Sequence, residues 1–107
     1  MINNNQMIAR LWHGYTKPED APTYHEMLLT SILPGIHRIA GYQGSYVLRK
    51  DGKDEVEFIT ITFWESLDAI REFAGPDYER CVIVPEAAHL LVRHDERSTH
   101  YDSIRSD

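Results

Sequence analysis

An adjacent tryptophan and histidine, Trp12 and His13 in "IARLWHGYT", have the clearest capacity for chemistry. A histidine beside a ligand can act as a general base near neutral pH, and an indole can form the wall of an aromatic site. The stretch is rich in strand-forming residues, so the two side chains are expected on opposite faces of a strand. One would face a pocket and the other a partner subunit, and the sequence leaves open which. A hydrogen-bonded structural histidine is the alternative for His13.

A second set of polar residues, His94, Glu96 and His100, alternates near the C-terminus and would share one face of a final strand. At about 3.3 Å per residue, His94 and His100 would lie about 20 Å apart. Zinc ligands must all lie within about 2.1 Å of one ion. We therefore expect no metal site within one subunit.

Three further residues have reactive or polar side chains. Tyr78 lies in a broken segment and His89 lies on the last predicted helix, so either could reach a pocket entrance, although exposed polar residues are the default there. Cys81 lies in the apolar run "CVIV" and is expected to be buried and unreactive. A single cysteine cannot form an internal disulfide, which favours a reducing, cytoplasmic compartment.

Trp64 lies where "TFWESLDAIREFAG" changes from a strand period to a helix period. A large side chain is needed there to seal the sheet edge, and burying it contributes about 2–3 kcal/mol. We expect Trp64 to be mainly structural. Ser66 should cap the following helix, whose apolar stripe includes Ile70 and Phe73.

The elements that must position these residues follow from hydrophobic periodicity and turn signals. They are a strand at 7–15, a helix that ends or kinks near Leu33 because of Pro34-Gly35, a hairpin of "GYQGSYVLRK" and "EVEFITITFW" around "DGKD", a helix after Ser66, two short helical pieces in "DYERCVIV" and "PEAAHLLV", and a final strand through Thr99, Tyr101 and Ile104.

The hairpin distributes apolar side chains over both of its faces. Closing the turn between Asp51 and Asp54 would place Tyr46 opposite Ile59. One face is strongly apolar and the other is mixed. The first carries Tyr42, Tyr46, Leu48, Ile59, Ile61 and Phe63, and the second Ser45, Val47, Val56, Phe58, Thr60 and Thr62.

The order strand, helix, strand, strand, helix, strand predicts a ferredoxin-like βαββαβ α+β fold, a four-stranded antiparallel sheet with helices on one face. Helices would cover one face only, yet both faces of the hairpin are apolar. The simplest cover for the second face is another copy of the chain, so we expect a homodimer that packs sheet against sheet.

Length and charge limit the remaining possibilities. The chain has 107 residues, and we expect one domain over 7–104 with a flexible leader at 1–6. The net charge is −6 and the basic residues are scattered, which argues against nucleic-acid binding. No apolar run approaches the roughly 18 residues of a membrane span, and the N-terminus lacks the pattern of a signal peptide.

"IARLWHGYT", "GYQGSYVLRK", "EVEFITITFWESLDAIREFAG" and "HDERSTHYD" together resemble the antibiotic-biosynthesis-monooxygenase-like proteins of the dimeric α+β barrel group. The resemblance covers about residues 8–102. It implies a homodimer with a pocket between helices and sheet, and oxidation of aromatic substrates by O2 without metal or flavin, hence no cofactor.

Haem-degrading members of this group have an Asn in the first strand, a Trp in the second helix and a His about ten residues later. Here "IARLWHG" has no Asn, the helix position is Phe73, and the later position is near Ile83. Haem degradation is therefore not expected.

Two functions remain open from the sequence. The first is a cofactor-independent monooxygenase acting on a small aromatic or enolisable substrate. The second is a non-catalytic homodimer of the same fold that binds a small hydrophobic or aromatic ligand or serves in stress. For the monooxygenase, His13 is the candidate base, and the candidate pocket walls are Trp12, Tyr42, Phe73, Tyr78 and His89.

Overall fold

The computed structural model describes residues 7–106, so the predicted leader at 1–6 lies outside the described residues. In chain order the elements are β1 (Met7–Thr16), a 3-10 turn (Pro18–Asp20), α1 (Ala21–Met27), a π-helical turn (Leu28–Ile32), α2 (Leu33–Ile36), β2 (Tyr42–Asp51), β3 (Val56–Trp64), α3 (Leu67–Ala74), α4 (Pro85–Ala88), β4 (Leu91–His94) and β5 (Thr99–Ser103). None of the helices within 7–106 is long and apolar enough to cross a membrane.

The strands form one antiparallel sheet in the order β2-β3-β1-β4, with β5 also paired to β1. The helices pack on one face of it, and the predicted ferredoxin-like α+β fold is confirmed. The predicted single final strand is wrong in detail, because β4 pairs with one end of β1 and β5 with the other. His94 and His100 therefore belong to different strands, and Glu96 lies in the connection between them.

The first helical region extends further than predicted. It continues past Leu33 to Ile36, and the backbone widens into the π-helical turn just before Pro34, where the Leu33 N–H donates to the Leu28 carbonyl. Proline has no N–H to donate, and its ring clashes with the carbonyl of a regular preceding turn. The wider turn lets the chain pass Pro34 without ending the helix.

The region 78–92 differs most from the prediction. "DYERCVIV" forms no helix, "PEAAHLLV" is helical only over Pro85–Ala88, and Leu91–His94 is the strand β4. The β-branched run 82–84 disfavours a helix, and pairing with the free edge of β1 outweighs the helical pattern of 89–92. Cys81 is half-buried, not fully buried as predicted.

The hairpin register is shifted by two residues from the prediction. Tyr46 pairs with Ile61 and Leu48 with Ile59, because the strands close between Asp51 and Val56 around a longer turn. A shift of two preserves the alternation, so most side chains keep their predicted face. Tyr42 is the exception.

An irregularity between Tyr42 and Gly44 moves Tyr42 to the other face of the sheet. Its ring packs edge-on against Trp64, with centroids 5.7 Å apart. The predicted place of Tyr42 beside Tyr46 is therefore wrong. Tyr42 belongs to the helix-covered face.

The helices cover the mixed face of the hairpin and leave the strongly apolar face open. Phe58 and Val56 are buried against Tyr24 and Leu28, and the rings of Tyr24 and Phe58 meet edge-on at 4.9 Å. A second cluster forms at the other end of the sheet, where Trp64, Ala69 and Ile70 are buried. On the open face, Tyr46 and Leu48 are 66% and 47% exposed.

Gly41 precedes the hairpin with φ +90, and a Cβ there would lie 2.5 Å from the Ala69 Cβ. We expect Gly41→Ala to lower the free energy of unfolding by at least about 1–3 kcal/mol, because the cost of the clash adds to the cost of a positive φ at a residue with a side chain. Gly35→Ala, in α2 with open space around it, should instead stabilise by about 0.5–1 kcal/mol. Urea unfolding of both variants measures this, and equal effects would contradict it.

Candidate ligand-binding site

A cavity of about 70 Å³ lies between the helices and the sheet. Pockets for drug-sized ligands hold about 300–1,000 Å³, and an apolar cavity that binds one benzene ring has about 150 Å³, so even a single-ring ligand requires the walls to separate. The lining is mostly apolar, with a few polar side chains. It comprises Arg10, Trp12, Tyr24, Leu28, Ile32, Leu33, Ile36, Thr60, Thr62, Phe73, Val82, Ile83, Val84, Ala87 and Ser98.

Arg10 supplies the charge of this cavity. It lies on β1 two residues before Trp12, on the same face, and is only 5% exposed. Its Nη1 donates to the Tyr78 carbonyl and to the His100 Nε2, 3.0 Å away, and its Nη2 donates to the Arg80 carbonyl at 2.7 Å. Arg10 thus ties the irregular segment after α3 to the middle of the sheet.

The Arg10 guanidinium lies against an aromatic ring. The Arg10 Cζ lies 5.4 Å from the centre of the Phe73 ring, a cation–π distance. The Phe73 ring also stacks on Trp64, with centroids 5.4 Å apart and planes at 24°. Trp64 is fully buried and donates to the Thr62 Oγ1 at 2.8 Å, as expected of a structural side chain.

The charge of Arg10 has no ionic partner in the described part of the chain. No carboxylate of residues 7–106 lies within 4 Å of its guanidinium. Burial lowers the pKa of Arg10 to about 10, so the group remains a cation at neutral pH. A buried cation held by neutral groups attracts an anion, because a buried charge is costly unless it is paired.

His100 is neutral, and its tautomer is determined by Arg10. Arginine only donates hydrogen bonds, so the His100 Nε2 must accept and the proton lies on Nδ1. That Nδ1 is buried and has no hydrogen-bond partner within residues 7–106. Burial and then the Arg10 charge lower the pKa of His100 to about 4, so His100 is not a base for a ligand at neutral pH.

Two threonines on β3 both line the cavity but differ in their hydrogen bonding. Thr62 accepts from the Trp64 indole. The Thr60 hydroxyl is buried and has no partner among the described residues. Most buried hydroxyls in proteins are paired, so Thr60 has a hydrogen bond available for a ligand.

Trp12 lines the cavity and is held by its neighbours. Its Nε1 donates to the Asp95 carbonyl at 2.9 Å, and its ring lies 5.5 Å from that of His94. A Cβ on Gly14 would come within 2.9 Å of the indole, so the absence of a side chain at Gly14 leaves room for the ring. The question that the sequence left open is answered: Trp12 faces the cavity.

His13 lies on the opposite, open face of the sheet. Its Nδ1 lies 2.7 Å from the Asp95 Oδ2, and the same carboxylate oxygen accepts from the His13 backbone N–H at 2.9 Å. The imidazole therefore does not line the cavity, and a role for His13 as the base stays a prediction.

The other four predicted wall residues are only partly brought together. Phe73 lines the cavity. Tyr42 lies behind it, in the cluster around Trp64, and its hydroxyl donates to Ser45 at 2.8 Å. Tyr78 contributes its carbonyl to Arg10, while its ring packs edge-on to that of His100. His89 is exposed after α4 and is not part of the lining.

Arg10 and Thr60 are the residues that sequence reasoning missed. Arg10 did leave a signal, because a charged residue at i, i+2 from Trp12 within an apolar strand must share its face. Thr60 left no such signal, because it lies among Ile59, Ile61 and Thr62 in what reads as an ordinary strand pattern. Within residues 7–106 no three His, Cys, Asp or Glu side chains group closely enough to hold a metal ion.

Several solved structures share this fold. A proposed antibiotic biosynthesis monooxygenase from Bacillus cereus aligns over 96% of this chain and 98% of its own, with a TM-score of 0.66 and 16% identity. A haem-degrading protein from Mycobacterium tuberculosis aligns over 96% and 98%, with a TM-score of 0.59 and 15% identity. A cofactor-independent oxygenase from Streptomyces nogalater aligns over 94% and 95%, with a TM-score of 0.54 and 22% identity.

The chain has the fold of these proteins. The fold implied by the resemblance in sequence is therefore confirmed. No family model matches the chain, and no curated protein does. At these identities the shared fold does not decide between oxygenation and haem degradation, so function must be argued from the cavity.

The lowered pKa of His100 predicts a pH dependence of stability. The unfolded chain binds a proton near pH 6.5 and the folded chain only near pH 4, so stability falls as the pH drops through this window. We expect His100→Gln, which keeps an acceptor for Arg10, to lose less unfolding free energy between about pH 7 and about pH 5 than wild type. The exposed control His89→Gln should behave like wild type. Urea unfolding at both pH values tests this, and an unchanged loss in His100→Gln would contradict it.

Proposed function

We propose that the cavity between the helices and the sheet binds a small planar aromatic or enolisable molecule, and that the protein oxidises it with O2 without a metal or flavin. The observation that carries this proposal is a buried Arg10 guanidinium, without a carboxylate partner among residues 7–106, in a cavity lined by Trp12 and Phe73. The indole and phenyl rings suit a planar ligand. The positive charge of Arg10 would stabilise the anion that such a ligand forms when it loses a proton.

The reaction begins with loss of a proton from the substrate, for example from the ring CH2 of an anthrone. Arg10 stabilises the resulting carbanion or its enolate form through a charge that is already in place. The anion passes one electron to O2, and the substrate radical and superoxide combine to form a C–O bond. The peroxide then loses water, so that CH2 and O2 become C=O and H2O. The apolar walls exclude bulk water from these intermediates.

The second function, a ligand-binding protein without catalysis, is favoured by a different observation. None of the lining residues is a carboxylate, a histidine or a lysine. Tyr24 also lines the cavity, but burial raises its pKa to about 12, so it is a phenol at neutral pH and not a base. A substrate must therefore lose its proton to water or ionise by itself.

Oxygen consumption with anthrone and quinol substrates separates the two functions. Wild type should consume O2, and Arg10→Gln should reduce turnover by about 10²-fold or more, the scale of a lost electrostatic stabiliser. Phe73→Leu should mainly raise KM, since it removes a ring face and keeps volume. Lys53→Ala, exposed in the β2–β3 turn, is the control. Ligand binding without O2 consumption by wild type would favour the non-catalytic function.

His13 stays a predicted base, and its variant belongs in the same assay. A decrease of about 10²-fold in His13→Ala would support that role. Full turnover per folded molecule would leave His13 with the structural contact to Asp95 alone. A cytoplasmic location also stays a prediction.

We also propose that the chain forms a homodimer through the open face of the sheet. Tyr46 and Phe63 meet edge-on there at 6.1 Å, and Leu48 and Ile59 pair beside them. A contiguous apolar sheet face without helices is a typical interaction surface. The same face of a second copy of the chain is the simplest surface that could cover it.

Leu48→Glu tests the dimer. Leu48 is 47% exposed in the single chain, so a charge there should leave the subunit folded and should oppose burial in an interface. Val82→Glu is the matched control, because Val82 is 40% exposed and lines the cavity on the helix-covered face. Sedimentation velocity at micromolar concentration should give dimers for wild type and the control and monomers for Leu48→Glu. A monomeric wild type would contradict the proposal.

A further inference from the structure

We propose that the cavity selects ligands that already carry an oxyanion on a small planar ring, and that Arg10 and Thr60 together bind that oxyanion. The inference rests on the proposed ligand site and specifies the chemical class that it accepts. The class comprises aromatic carboxylates and ionised phenols. Neutral rings of the same shape bind more weakly.

The hydrogen-bond donors of Arg10 are only partly used by the fold. A guanidinium has five N–H groups, and three of them donate to the Tyr78 and Arg80 carbonyls and to His100. The remaining two, on Nε and Nη2, have no partner among residues 7–106. Two free N–H groups on one guanidinium can bind both oxygens of a carboxylate.

The Thr60 hydroxyl supplies a further donor to the cavity. It is buried, lines the same cavity as Arg10 and has no partner in the described chain. A hydroxyl can donate to an anion, and a hydrogen bond to a charged group is roughly twice as strong as one between neutral groups. An oxyanion in the cavity would satisfy both the cation and the orphaned hydroxyl.

The described residues that line the cavity include no base. They are apolar or hydroxyl-bearing except for Arg10, the indole of Trp12 and the phenol of Tyr24. A neutral ligand could not be deprotonated by any of them at neutral pH, whereas a ligand that arrives ionised needs no base. A ligand that is already ionised is therefore the class that this lining suits best.

Titration calorimetry with matched probes tests the inference. Benzoate and benzamide share one shape and differ in charge, as do 4-nitrophenolate and 4-nitrotoluene. We expect each anion to bind at least about tenfold more tightly than its neutral partner, the scale of a hydrogen bond to a charged group. The two pairs distinguish carboxylate from phenolate as the preferred source of the oxyanion.

Thr60→Val provides a variant whose fold should not suffer. It removes an unpaired hydroxyl, so the melting temperature should stay or rise, while affinity for the preferred anion should fall by about tenfold. The matched variant Thr62→Val orphans the Trp64 indole N–H and should instead lower the melting temperature by about 4–8 °C. Arg10→Gln should abolish the preference for the anion.

Each outcome has a distinct meaning. Equal affinity for anionic and neutral probes overturns the inference and leaves the ligand site standing. Failure of all four probes to bind overturns the proposed ligand site as well. An affinity for the preferred anion that is unchanged in Thr60→Val overturns the assignment of Thr60. A preference that survives in Arg10→Gln overturns the role of Arg10.

Discussion

The buried charge of Arg10 is the constraint on which the helix-covered half of the molecule depends. A guanidinium that is 5% exposed must have its hydrogen bonds supplied by the fold. Two backbone carbonyls of the segment after α3, at Tyr78 and Arg80, supply them, together with the ring of His100. That segment has no regular helix of its own, so Arg10 is one of its polar connections to the sheet. The Ser98 N–H and the Arg97 side chain, just before β5, supply others. Burial and then the Arg10 charge lower the pKa of His100 and keep it neutral, and the guanidinium lies under the ring of Phe73.

Asp95 connects the two faces of the sheet at the end of β4. Its carbonyl accepts from Trp12, which faces the cavity, and its carboxylate accepts from His13, which faces the opposite way. Trp12 and His13, whose side chains lie on opposite faces of the sheet, are thus both hydrogen-bonded to Asp95. A change at His13 can reach the cavity through Asp95 without the imidazole touching a ligand. Any effect of His13 on a reaction must therefore be separated from its effect on the position of Trp12.

The shared fold accommodates different chemistry because the sheet and helices supply only a cavity. Proteins with this fold include an oxygenase and a haem-degrading protein. Within residues 7–106, the cavity of this chain has a cation with no carboxylate partner, a hydroxyl with no hydrogen-bond partner, and no carboxylate, histidine or lysine in its lining. These features favour an acidic planar ligand and do not require a metal ligand set. Whether oxygenation follows binding depends on the ability of the bound anion to give an electron to O2.

The sequence alone determined those features that depend on local patterns. Period-two alternation assigned most hairpin residues to the correct face, even with the register wrong by two, because a shift of two preserves the alternation. The Ser66 cap is also correct, since its hydroxyl accepts from the Ala69 N–H only three residues away. The order of the main strands and helices predicted the ferredoxin-like sheet for the same local reason.

Only the tertiary structure decided what depends on distant neighbours. The strand at Leu91–His94 exists because it pairs with the edge of β1, and this pairing overrides a local helical pattern. Tyr42 changes face through an irregularity between two strands. The choice of Trp12 over His13, and the meeting of Arg10 with His100 and Thr60, depend on which face the helices cover. Hydrophobic pattern could not make that choice, because both faces of the hairpin are apolar and the free energy of burial has no direction.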